Sequence, residues 1–128
     1  MGTFQVNIDV GDPQGERYEA MDTLVDTGST YSTLPGSVLR RLGVPADRQV
    51  EFELADGRIV KHDVGQTRVR IDGQSNIVPV VFADEGSEPL LGAVTLEIFL
   101  LTVDPVRQRL VPVRGLLMAQ ARKPLTRL

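Results

Sequence analysis

Apolar and polar positions alternate along most of this chain. Phe4, Val6, Ile8 and Val10 are separated by Gln5, Asn7 and Asp9, a period of two that predicts a half-buried strand. The run Gly11-Asp12-Pro13-Gln14-Gly15 is rich in turn formers, so a second strand, from about residue 16 to 25, is expected to fold back as a hairpin. A short strand over residues 31–34 leads into residues 35–43. There, an early Pro, apolar residues at 38, 39 and 42, late Arg residues and a closing Gly predict a short helix. Alternation returns with Val50, Phe52 and Leu54 against Glu51 and Glu53. Asp56-Gly57 is a two-residue hairpin signal. A long strand follows, carrying Ile59, Val60, Val64, Val69 and Ile71, with Gly65 marking a bulge or bend. Asp72-Gly73 is a second hairpin signal. Residues 77–82 are almost continuously apolar, which predicts a strand buried on both faces in which Pro79 limits pairing. A polar loop over residues 84–89 precedes Leu90-Leu91-Gly92 and a helix-like stretch, 93–99. Residues 101–103 and 109–113 form a closing hairpin around Asp104-Pro105. The fold class expected is all-β with one or two short helices, without a βαβ rhythm.

Composition narrows the function classes. A chain of 128 residues suits one domain. The division expected is a domain over 1–114 and a basic tail over 115–128 that carries Arg122, Lys123 and Arg127. A hydrophobic share of 41% with 24% charged residues argues against disorder. The formal charge of -3 lacks the footprint of a nucleic-acid binder. Zero Cys excludes disulfides, zinc–thiolate sites, iron–sulfur clusters and cysteine nucleophiles. A single His, His62, cannot form a multi-His metal site within one chain, and it reads as a solvated strand residue. Without disulfides, a cytoplasmic location is the simpler expectation. Met1 to Val6 shows neither a basic region nor a long apolar run, so no signal peptide is expected there, and Val6 breaks the myristoylation pattern that Gly2 invites. No apolar stretch is long enough to span a bilayer, so no membrane partner is expected.

One segment carries chemistry: Leu24-Val25-Asp26-Thr27-Gly28-Ser29-Thr30. Two apolar residues run straight into Asp-Thr-Gly, and a strand and a helix follow. A carboxylate placed this way sits on a loop anchored by a buried strand. Gly28 lets the backbone approach that carboxylate without a Cβ clash. No second Asp-[Thr/Ser]-Gly exists, since Asp56-Gly57 and Asp72-Gly73 lack the middle residue. A serine triad is disfavoured because His62 has no Gly-x-Ser-x-Gly elbow to serve.

The segment resembles the active-site loop of the retropepsin-like aspartic proteases. The resemblance extends over roughly residues 3 to 113. It takes in the short helix, the Asp56-Gly57 hairpin where that family carries its flap, the apolar-apolar-Gly of Leu90-Leu91-Gly92 with its helix, and the closing strands. It implies a small closed β-barrel. It implies a homodimeric endopeptidase that binds extended polypeptides and uses no cofactor or metal. Asp26 of each chain would form the catalytic pair, braced by Thr27, which ties the two loops together across the interface, and by Gly28. Two carboxylates that close cannot both ionise, so one holds the proton that the reaction donates. Ser29 would bond the outer carboxylate oxygen. Leu24 and Leu90 would wall substrate pockets, and Ala55, Asp56, Gly57 and Arg58 would form the flap tip. Thr30 and Tyr31 stand where retroviral members carry acidic residues that bind substrate backbone, a departure that touches substrate contacts. Two rivals remain: a catalytically inactive dimerisation or peptide-binding module of the same fold, and a metal-dependent hydrolase using acidic residues.

Overall fold

The computed structural model describes residues 3–117. Met1, Gly2 and the basic positions Arg122, Lys123 and Arg127 of the expected tail lie outside the described residues. The first two strands, β1 (Gln5–Gly11) and β2 (Tyr18–Val25), form the expected hairpin, in register from Gln5↔Leu24 to Gly11↔Tyr18. Ile8 and Val10 point into the core while Gln5 and Asn7 stay exposed, as the alternation predicts. β2 starts at Tyr18 rather than residue 16 because the turn claims the intervening donors. The Asp12 carboxylate accepts the N–H of Glu16 (2.7 Å) and of Arg17 (3.0 Å), which removes both from the ladder.

β3 (Ser32–Pro35) leads into α1 (Gly36–Arg41), shorter than the 35–43 expected. Pro35 is the residue before the helix, and Gly43, at φ +77°, turns the chain out of it. Val38, Leu39 and Leu42 bury the inner side. β4 (Ala46–Glu53) and β5 (Ile59–Ile71) pair antiparallel, and β5 continues into β6 (Gln74–Ala83) through Asp72-Gly73. Both turn residues have positive φ, 54° and 82°, as a tight two-residue hairpin requires. The Asp56-Gly57 turn is longer than the two residues expected. Leu54 N–H donates to the Arg58 carbonyl (2.8 Å), and only Gly57 has positive φ, so Ala55-Asp56-Gly57 form a three-residue loop. Gly65 marks a close backbone approach: a Cβ there would collide with the Pro45 carbonyl oxygen, and the register slips on the facing strand between Ala46 and Arg48.

β6 is buried on both faces only from Val80 to Phe82, since Ile77 is 49% exposed. Its parallel pairing to β3 begins at Ser32↔Val80, one residue past Pro79, so the missing proline donor falls outside that ladder. β7 (Leu90–Leu91) lies between β2 and β3, parallel to the first and antiparallel to the second. α2 (Ala93–Ile98), β8 (Leu101–Asp104) and β9 (Arg109–Pro112) complete the described chain, with β8 and β9 forming their own two-stranded sheet. The main sheet runs β1-β2-β7-β3-β6-β5-β4, and β1 also pairs with β5 through Asp9↔Arg70 and Val10↔Val69. The fold is therefore mostly β with two short helices. Its core gathers Ile8, Val10, Leu34, Leu39, Val78, Val80 and Leu91 at 0–2% exposure, each contributing ~1.5–3 kcal/mol on full burial. Among the described residues, no buried side-chain nitrogen or oxygen lacks a hydrogen-bond partner.

Candidate active site

Asp26 follows the last residue of β2, and backbone bonds on both sides fix where it stands. Val25 N–H donates to the Phe4 carbonyl (2.9 Å), Leu24 N–H to Pro89 (2.9 Å), and Asp26 N–H itself to the Leu91 carbonyl (3.0 Å). The loop then turns tightly, with Ser29 N–H on the Asp26 carbonyl at 3.1 Å. Both carboxylate oxygens have partners from the same turn. Gly28 N–H reaches Oδ1 at 3.0 Å, and Ser29 Oγ donates to Oδ2 at 3.2 Å. A Cβ at Gly28 would sit 3.3 Å from Oδ1, so glycine keeps this approach unstrained. Asp26 and Ser29 are half-buried, while Thr27, Gly28 and Thr30 are exposed.

The far side of the loop is bolted to α2. Ala93 N–H donates to the Ser29 carbonyl (2.8 Å) and Val94 N–H to Thr30 (3.0 Å). Gly92 packs so closely that a Cβ would lie 2.6 Å from the Tyr31 carbonyl carbon and oxygen and 2.9 Å from the Ser29 oxygen. Its N–H donates to Ser32 Oγ (3.0 Å), and that hydroxyl pairs with Thr95 Oγ1 at 2.6 Å in the buried interior. Leu90-Leu91-Gly92 thus holds the Asp26 loop from inside.

Asp26, Thr27 and Gly28 share one open depression of about 210 Å³ with Thr3, Phe4, Val25 and Val103. The sequence singled out the first three; Thr3, Phe4 and Val103 went unnoticed. Val103 is remote in sequence, so only the fold shows it. Leu24 and Leu90 face each other in register, both half-buried, one step back from this depression and not lining it. Ala55, Asp56, Gly57 and Arg58 are exposed at the β4–β5 tip and do not line it either. At that tip Arg58 donates to Asp56 through its backbone N–H (3.1 Å) and through Nε (2.8 Å). These contacts hold the Asp56 carboxyl below its usual range, the backbone bond first. His62 is half-buried beside Phe52, with ring centroids 6.5 Å apart. Among the described residues, no three His, Asp or Glu side chains gather as metal ligands do, and no helix is long and apolar enough to cross a membrane.

The Asp-Thr-Gly turn beside the two-residue strand β7 is the arrangement that the resemblance to the aspartic proteases implies. Residues 6–95 match the aspartyl protease family, and this chain belongs to it. No curated protein sequence matches the chain. Among solved structures it resembles the solution structure of the simian foamy virus (mac) protease, with a TM-score of 0.54. The identity is 14%, over 75% of this chain and 94% of that one. At that identity the likeness is one of fold, and the fold is retropepsin-like.

Proposed function

We propose that two copies of this chain pair across the depression beside Asp26 and cleave peptide bonds in extended polypeptides. The observation that carries this is the exposed Asp-Thr-Gly turn, with Asp26 held through both carboxylate oxygens and only one such turn per chain. A self-complementary two-fold contact would supply the second carboxylate. In the pair, one Asp26 is ionised and takes a proton from a water molecule, whose oxygen attacks the scissile carbonyl carbon. The protonated Asp26 gives its proton to the carbonyl oxygen, and the tetrahedral species collapses with proton transfer to the departing amine. The pair titrates as a unit.

Gly28 keeps the catalytic carboxylate in place, and Thr27 stands exposed on the face that meets the partner. Ser29 and Thr30 on the loop, Leu24 and Leu90 behind it, and Ala55, Asp56, Gly57 and Arg58 on the β4–β5 hairpin are proposed to contact substrate. The hairpin would act as a flap that closes over the chain and excludes water. The return of the strand order from β5 to β1 supports a small closed β-barrel over residues 1–114. The absence of cysteine suits a reducing compartment such as the cytoplasm.

The test is digestion of a peptide mixture by the wild type and by Asp26→Ala between about pH 3 and 8, with and without a chelator. Cleavage by the wild type alone, unaffected by chelator, is the expected result. Equal cleavage by both proteins overturns the proposal. Silence from a confirmed dimer transfers the reading to a non-catalytic peptide-binding module, and chelator sensitivity transfers it to a metal-dependent hydrolase.

A further inference from the structure

The β4–β5 hairpin is thinly supported beyond its base. Among the described residues β4 pairs only with β5, and β5 meets β6 only from Val64 onward, so residues 50–62 form a two-stranded ribbon. Such a ribbon holds little stability of its own in water. Its inner side nevertheless keeps Val50, Phe52, Val60 and His62 half-buried. Tyr31, on the body, reaches Phe52, its ring set edge-on with centroids 6.0 Å apart and planes at 78°. Arg48, at the ribbon's base, donates to the Tyr31 hydroxyl at 3.4 Å.

The backbone around Tyr31 is tied to α2 and Gly92. The Tyr31 carbonyl lies against Gly92, the preceding carbonyls of Ser29 and Thr30 accept from α2, and the Ser32 hydroxyl is shared between Gly92 and Thr95. The same bolt therefore fixes the Asp26 turn and the root of Tyr31. We infer that Tyr31 is a positioning residue that clasps the β4–β5 ribbon through Phe52 and so sets its posture relative to the Asp26 loop. This rests on the flap role proposed above. The clasp acts on substrate capture rather than on the bond-breaking step, because Tyr31 holds the ribbon and the ribbon holds the peptide.

Hydrogen exchange tests the clasp whether or not the protein cleaves peptides. In Tyr31→Ala, amides of residues 50–62 should exchange about tenfold faster, the scale an edge-to-face aromatic pair supports, with β1, β2 and β6 unchanged. Tyr31→Phe should stay within about twofold of wild type, because the ring contact remains and the exposed 3.4 Å hydroxyl contact is weak. Phe52→Leu, which keeps apolar volume and loses the ring, should mimic Tyr31→Ala, and the double variant should be no worse than the worse single. In peptide cleavage, Tyr31→Ala should raise KM about tenfold with kcat nearly unchanged. Unchanged exchange in the ribbon overturns the inference. So does a loss of protection spread evenly over every strand, or strictly additive effects of the two variants. If the wild type cleaves nothing, the proposed hydrolysis fails, and the exchange pattern alone decides the clasp.

Discussion

Ser29 donates its hydroxyl to the outer oxygen of Asp26 at 3.2 Å, three residues away on the same turn. One donor to a half-buried carboxylate is worth about 1–2 kcal/mol. Ser29→Ala is expected to lower kcat/KM roughly tenfold while leaving the melting temperature near wild type, because the loop keeps its backbone bonds. Steady-state kinetics on a cleaved peptide, set beside a thermal scan, checks both halves.

A site shared between two chains, as proposed, would make an inactive subunit poisonous. Asp26→Asn keeps the shape of the turn, so it should still pair with wild-type chains. In threefold excess over wild type it should cut activity per wild-type chain to about a quarter, since most wild-type chains then sit in mixed pairs. In a monomeric enzyme the same addition would leave the activity of the fixed wild-type protein unchanged. A titration of the variant into fixed wild type separates the two.

Gly92 has no room for a methyl group. The nearest atoms to an added Cβ, at 2.6 Å, are backbone atoms of Tyr31, which cannot rotate away. Gly92→Ala is expected to cost roughly 2–3 kcal/mol and lower the melting temperature by about 10 °C. Gly57→Ala is the contrast. It meets nothing within 4 Å, but its φ of +88° penalises a side chain, so the loss is about 1 kcal/mol and confined to the ribbon tip. Thermal unfolding followed by circular dichroism ranks the two.

The Asp12 turn gives the fold an acid-sensitive staple. The Arg17 backbone N–H, helped by that of Glu16, holds the Asp12 carboxyl below its usual range, against the upward push of burial. A lowered folded value means that the unfolded chain binds the proton more readily. The stabilisation is therefore complete above the ordinary carboxylate range and disappears as pH falls through the lowered value. Asp12→Asn should melt below wild type at pH 7, and the gap should be smaller at an acid pH well below the ordinary carboxylate range. Paired thermal scans at the two pH values read the difference directly.

Much of this architecture was legible because its signals are local. The alternation in β1 and β4, the Asp72-Gly73 turn and the Pro-to-Gly span of α1 each follow from residues within a few positions of one another. The Asp-Thr-Gly turn was equally plain, and the structure adds the partners of its carboxylate. What sequence could not show is what distant segments do to one another. The start of β2 moved because a carboxylate took two amide donors. The Asp56-Gly57 loop gained a residue because Leu54 and Arg58 closed the ladder. Phe4 and Val103 reached the Asp26 depression, and Tyr31 reached Phe52, across separations that carry no periodic mark.

The strand β7 has a consequence in time. Asp26 takes its backbone position from the Leu91 carbonyl, and its loop is bolted by Gly92 and α2, all more than sixty residues later in the chain. A chain that reaches only as far as α1 already carries Asp-Thr-Gly and the local donors of Gly28 and Ser29, but lacks the contacts from β7 and α2 that fix the loop to the body. The bolt on the Asp26 loop is therefore complete only once β7 and α2 have been made, after the long β5 and β6 strands in chain order.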